Sequence, residues 1–425
     1  MEDARGAFSR RELLTRTGLA ASALAAQRAR ADVASPSTLI SPVSVAKVAG
    51  YDQDLVAQFT RMFDQIGGIG QLVRGKTVAM KVNLSGASGT GRQVGLSAGQ
   101  TSWVHPNVVG ALTAAFAKLG AKRVRILEST FRKRYGAPLE DTLLNDGWDV
   151  KAIKSAAPIV EFEDTNGLGQ AKQYTTLKVK SRPYVFPAFS LNHSYEDCDF
   201  FVSVGKMKNH EELGITLSMK NLFGITPELL YGQGPKPAGA VVSPVGNYSP
   251  WVRERVFHYG QVQPPTGVPQ EIDPASNRYE GWRMPRLLTD LCGARPIDLS
   301  VLDGIETLIG GEGTGMPGTK HGKPGLLVVG RNCVCTDAVA MATMGYNPRA
   351  GRHEAPFRLY KSPKDHPAEQ LIPPGETHQY ADNTVLMGEA AGLGIADLSK
   401  IDVRGVPIKD AAYDYEAHWK GQAPV

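Results

Sequence analysis

Apolar and polar positions along the chain switch repeatedly between a helical and an extended period. Leu55, Val56, Phe59, Met62, Phe63 and Ile66 recur at helical spacing. KTVAMKVN (76–83) reads as a strand. HPNVVGALTAAFAKLG (105–120) reads as a helix, with Pro106 near its first turn and Gly120 past its end. RVRILES (123–129) is again strand-like, and 138–147 is helical. DFFVSVG (199–205) is a strand, followed by a helix within 211–223 that Gly224 and Pro227 stop. MPRLLTDLCG (284–293) is a helix, IDLSVLDG (297–304) and GLLVVG (325–330) are strands, and TDAVAMATMG (336–345) is a helix with Thr336 as its cap. This alternation predicts an α/β fold, a mostly parallel sheet with helices on both faces.

Two stretches break the pattern. Residues 165–195 read as a polar β excursion. Residues 227–282 form a Pro/Gly/aromatic-rich insertion without a sustained period, expected to be a lid or a partner-binding segment. The tail beyond 345 holds a short helix near 388–398 and a strand-like KIDVRG (400–405). One α/β domain is therefore expected over 40–405, with 406–425 as a C-terminal tail.

Composition and charge narrow the class. The 425 residues are 42% hydrophobic and 21% charged, an ordinary globular balance. No apolar run reaches the roughly 18–20 residues of a membrane span. Residues 1–31 hold six arginines against Glu2, Asp3 and Glu12, a net +3 of the whole-chain +5. The remainder is near neutral, which argues against a nucleic-acid partner. The N-terminus itself reads as an address. SRRELL (9–14) precedes a weakly apolar stretch, and ARA (29–31) offers a small-x-small cleavage site. This resembles a twin-arginine signal peptide over 1–31, implying the twin-arginine export machinery as a partner and a periplasmic destination.

Cys198, Cys292, Cys333 and Cys335 form no C-x-x-C and no ferredoxin run, which argues against a ferredoxin-type iron–sulfur cluster. The glycine loops GTGMPGTK (313–320) and IGGIG (66–70) fail the phosphate-loop and dinucleotide patterns and read as turns.

Candidate chemistry gathers where predicted strands end, the usual ligand edge of an open parallel sheet. Lys81 and Asn83 follow the strand at 76, and a Gly/Ser-rich loop then leads to His105. Glu128 closes the next strand. Lys206, Lys208 and His210 leave the strand at 199 at alternate positions, and Lys220 and Asn221 follow. Asp303, Glu306 and Glu312 follow the strand at 297. Arg331, Asn332 and Asp337 follow the strand at 325. Five strand ends therefore suggest one shared cleft. Alternation would point Lys206, Lys208 and His210 the same way, and with Lys81 they would form a cationic pocket. Gathered ammonium groups call for either an anionic ligand or the nearby carboxylates.

Lys206, Lys208, His210 and Asp303 are the expected catalytic groups, for proton transfer or metal assistance. Lys81, Asn83, His105, Lys220 and Asn221 are the expected substrate contacts. Glu306, Glu312 and Asp337 are the candidate ligands for a divalent metal. The expected function is an exported enzyme acting on a small anionic or carboxylate ligand. A second reading is a carrier or electron-transfer protein holding a metal or redox cofactor. A third is an interaction module built on Tyr248, Trp251, Tyr259 and Trp282.

VSVGKMKNHEELGITLSMKNLFG resembles the signature of the domain-of-unknown-function 362 family, roughly K-x-K-x-H, a short gap, then T-x-x-x-K-N-x-F-G. MKVNLSG, HPNVVGALTAAFAKLGAKRVRILES, IDLSVLDGIETLIGGEGTGMPG and LLVVGRNCVCTDAVAMATMGYNP are similar to its other segments. The resemblance covers about 40–405, with 227–282 as a departure. It implies an α/β fold and functional interest in Lys81, Asn83, Lys206, Lys208, His210, Lys220, Asn221, Asp303 and Asp337, without implying a reaction. Many members carry an added ferredoxin segment that this chain lacks.

Overall fold

A computed structural model describes residues 39–86, 91, 94–129, 138–168, 173–210, 212–232, 250–311, 313, 319–358 and 380–421. The signal-like segment, Glu312 and Tyr248 lie outside these residues.

Eight strands form the central sheet: β1 (Val43–Lys47), β2 (Thr77–Val82), β3 (Arg123–Glu128), β4 (Val160–Asp164), β7 (Phe200–Lys206), β10 (Leu299–Gly304), β13 (Leu326–Gly330) and β14 (Val403–Gly405). Their order across the sheet is β14-β1-β13-β10-β7-β2-β3-β4. Three two-stranded ribbons flank it: β5 (Tyr174–Lys178) with β6 (Ala188–Asn192), β8 (Lys208–His210) with β9 (Gly214–Thr216), and β11 (Thr307–Ile309) with β12 (Lys320–Gly322). Helices cover both faces, so the α/β expectation holds.

The faces follow from strand alternation. Val78, Met80 and Val82 of β2, and Phe200, Val202 and Val204 of β7, enter one apolar core. Helix Leu55–Gln65 packs there through Leu55, Phe59, Met62 and Phe63, with Asp54 capping its start by accepting from Ala57 N. Each of these buried side chains contributes about 1.5–3 kcal/mol. Ala79 and Phe201 enter the opposite core, with the helices Glu280–Ala294 and Cys333–Thr343.

From β2 the chain crosses through helix Pro106–Lys118 to β3 and on to β4. From β7 it crosses the other way to β10. Strands β2 and β7 are parallel neighbours, with Met80 opposite Val202. Their onward connections part in opposite directions, which opens a crevice at their carboxyl ends.

Several expectations change. Strand β13 runs antiparallel to both β10 and β1, with Gly330 opposite Ser300 and Val43. The β11–β12 ribbon returns the chain to β13 through a short turn, so no crossover restores a parallel direction. Arg331 and Asn332 therefore emerge at the amino edge, and the fifth strand end does not join the others. The helix expected within 211–223 is instead the β8–β9 ribbon, turned at Gly214 (φ 78°), and a single helical turn, Ser218–Asn221. Helix Glu280–Ala294 starts ahead of its Pro285. The carbonyl of Gly281 that Pro285 cannot satisfy accepts from Asp382 N at 2.8 Å. The described part of the 227–282 insertion is not a loose lid, because helix Pro250–Phe257 buries Val252, Val256 and Phe257. In the tail, Tyr415 is buried and its hydroxyl donates to Met207 O at 3.0 Å. Among the described residues no helix is long and apolar enough to cross a membrane.

Candidate functional site

The gap where β2 and β7 diverge is filled by Asn221. Its Nδ2 donates to Lys81 O (3.1 Å), Val204 O (3.3 Å) and Ser203 Oγ (3.0 Å). Its Oδ1 accepts from Lys81 Nζ at 2.8 Å and Asn83 Nδ2 at 3.3 Å. Lys81 Nζ also donates to Val82 O (2.7 Å) and lies 2.9–3.0 Å from the Glu128 carboxylate oxygens. Glu128 in turn accepts from Leu84 N and Ser129 N. Burial pulls the Lys81 ammonium down from its usual range and pushes the Glu128 carboxyl up, each partly held by the other's charge. A Cβ on Gly224 would stand 2.5 Å from Glu128 Oε1 and 2.6 Å from Lys81 Nζ, so this glycine is needed for space.

Lys206 belongs to the other face. Its Nζ donates to Asp303 Oδ2 (2.9 Å), Tyr51 Oη (3.0 Å) and Gly99 O (2.6 Å), and lysine and aspartate are fully buried. Asp303 also accepts from Tyr51 Oη, His105 N and Ile305 N. The expected cationic pocket of Lys81 with Lys206 is therefore corrected. Strand parity puts the two lysines on opposite faces, and each spends its donors on carboxylates and carbonyls.

His105 stacks on Tyr51 (ring centroids 3.6 Å apart) and caps helix Pro106–Lys118, its Nδ1 accepting from Asn107 N at 3.1 Å. Burial lowers its pKa to about 4, against the pull of Asp303. Protons then bind the unfolded chain first, so this contribution to stability is present above pH 6.5 and is lost as pH falls towards 4. It amounts to about 3 kcal/mol. His105→Asn keeps a capping acceptor without the titration. Urea unfolding at pH 7 and pH 4.5 should show a fall in stability about 2 kcal/mol smaller in the variant than in the parent; equal falls would contradict the assignment.

The other expected residues are dispersed. His210 is buried, and its Nδ1 accepts from Glu212 N at 3.2 Å. Lys208 is buried in β8. Asp337 accepts from Ser218 N, Ser218 Oγ and Met219 N, holding the start of helix Ser218–Asn221, with its pKa raised by burial to about 6. It is thus some way from Glu306 in role and setting, and the metal set of Glu306, Glu312 and Asp337 is not assembled among the described residues. Glu306 instead meets His321 Nε2 at 2.9 Å and Gln100 Nε2 at 3.2 Å.

Beyond Asn221, Lys220 is joined by charged groups that the sequence reading passed over. Arg253, on helix Pro250–Phe257, is only 5% exposed. Its Nη1 donates to Thr226 O at 3.2 Å and its guanidinium lies over the Phe223 ring at 5.0 Å. Its Nε has no partner, and it forms no ion pair among the described residues. Lys220 is half-buried and also makes no ion pair among them. Glu254 and Glu228 lie close enough to feel the arginine, and burial raises both to about 7. His258 packs against Phe223 (centroids 4.9 Å apart) and meets the Glu280 carboxylate through Nδ1. Glu212, His258 and Glu280 offer ligand atoms within 4.8 Å of one another. The available signal was the interleaving of Arg253, Glu254 and His258 with apolar Val252, Val256 and Phe257 in a segment read as irregular. The motif K-N-x-F-G can now be read physically: Lys220 faces this cluster, Asn221 bridges the strands, Phe223 carries the arginine and histidine, and Gly224 leaves room for Lys81 and Glu128.

Comparison with known proteins places the chain. "Thylakoid-associated protein sll1697" of Synechocystis is 23% identical over 349 residues, covering 79% of this chain and 87% of that one. A solved Thermotoga maritima protein is 12% identical, with 62% of this chain and 52% of that chain covered and a TM-score of 0.32. The profile described as "Domain of unknown function (DUF362)" matches residues 78–342, a span that takes in Lys81, Lys206, Lys220 to Gly224, Arg253, His258 and Asp337. The chain belongs to that family.

Proposed function

We propose that the protein is an enzyme that binds a small anion, a carboxylate or a phosphate, against Arg253 and Lys220 at the carboxyl edge of β2 and β3. The observation that carries this reading is the buried arginine that forms no ion pair among the described residues. Burying an unpaired charge costs several kcal/mol. Stacking on Phe223 returns only about 1–2 kcal/mol. A bound anion supplies the missing charge, and Arg offers it a planar fork of donors. Glu254, raised to about 7, has the proton affinity of a general acid or base at neutral pH. Lys206 and Asp303 then support the sheet edge instead of touching the ligand. The arginine-rich N-terminus supports delivery of the protein by the twin-arginine route to the periplasm.

Thermal unfolding with malonate and with inorganic phosphate tests the binding. At a concentration of about 100 Kd a ligand specific to the fold adds about 2.7 kcal/mol. At least one of the two anions should raise the midpoint, and Lys220→Ala and Arg253→Gln should abolish the rise. A shift that survives both substitutions, or no shift with either anion, would sink the reading.

A further inference from the structure

We infer that Glu212, His258 and Glu280 form a binding site for one divalent first-row transition ion, with zinc and manganese as the fitting probes. The inference stands apart from the anion reading, because it uses other side chains and a different sign of charge.

Three segments far apart in sequence converge here. Glu212 follows β8, His258 follows helix Pro250–Phe257, and Glu280 opens helix Glu280–Ala294. Their ligand atoms all lie within 4.8 Å of one another. Metal bonds of about 2.0–2.2 Å require ligands somewhat closer than this. Glu212 is half-buried, whereas His258 and Glu280 are buried.

The histidine, 9% exposed, offers Nδ1, the ring nitrogen that already faces the Glu280 carboxylate, and an ion would take the place of the proton shared between them. Its ring is held by the edge of Phe223, and its backbone N donates to Glu254 O at 2.7 Å.

Two carboxylates with one imidazole suit zinc or manganese, whereas calcium and magnesium prefer oxygen alone.

The test uses the full chain, stripped with a chelator and titrated calorimetrically with zinc chloride and with manganese chloride. One equivalent of at least one metal should bind. Losing a direct ligand should weaken it by more than the about 10–100-fold typical of an outer-shell partner. Glu212→Gln and His258→Gln should both show that loss. Glu212 is half-buried, so its variant stays informative if the histidine variant fails to fold. Glu306→Gln, at the separate Glu306–His321 pair, should bind as the parent does. Absence of stoichiometric binding, binding unchanged in Glu212→Gln, or loss in Glu306→Gln alone would each overturn the site.

Discussion

Asp303→Asn should lower the unfolding free energy by about 3–5 kcal/mol, the cost of breaking a buried ion pair from one side. The carboxylate receives Lys206 Nζ, Tyr51 Oη, His105 N and Ile305 N. Every one of these is a donor. An asparagine amide must turn its own N–H groups towards some of them, and Lys206 is left charged in a site without exposure. Removing both partners should hurt less than the sum of the single changes. Lys206→Met with Asp303→Leu replaces the pair by apolar groups, which is often close to neutral. Urea unfolding of the two single variants and the double variant checks this, with a coupling above about 1 kcal/mol expected. A drop below about 1 kcal/mol in Asp303→Asn, together with lost ligand binding, would restore these residues to a direct role in the site.

This outcome bears on how much of the molecule could be read in its sequence. Helix Leu55–Gln65 and strand Phe200–Lys206 were legible because their apolar spacing is governed by local geometry. Lys81, Glu128, Lys206 and Asp303 do stand at or next to the carboxyl ends of their strands, whereas Arg331 and Asn332 leave the sheet at the opposite edge. Which face each lysine occupies was not legible. Alternation relates Lys81 to Ala79 and Lys206 to Val204, but it does not say which face of β2 matches which face of β7. That relation depends on the register between segments 122 residues apart in the chain, Met80 opposite Val202. The direction of β13 is also a property of the whole sheet, because a five-residue apolar run reads the same both ways. Arg253 and His258 escaped for another reason. Their importance lies in burial and in what surrounds them, Phe223 under both and Glu280 on His258, and such surroundings exist only in three dimensions.

Gly224→Ala should destabilise the protein by about 3 kcal/mol, through overpacking and displacement of a buried pair. The cause is space, since the added methyl would lie 2.5 Å from Glu128 Oε1 and 2.6 Å from Lys81 Nζ. Either the Lys81–Glu128 pair separates, or the turn after Asn221 moves and carries Phe223 with it. Both routes disturb the ring on which Arg253 and His258 rest. Gly351→Ala is the control. It is exposed, and its nearest obstacle is Glu354 Oε2 at 3.5 Å, an ordinary contact distance. Its cost should stay within about 0.5 kcal/mol. Lys81→Ala combined with Gly224→Ala separates crowding from a general fault in the turn. Shortening the lysine makes room for the methyl, so the double variant should lose at least about 1 kcal/mol less than the two single changes added together. Strict additivity would mean that Gly224 does not press on the pair, and the physical reading of its place after Phe223 would fall with it.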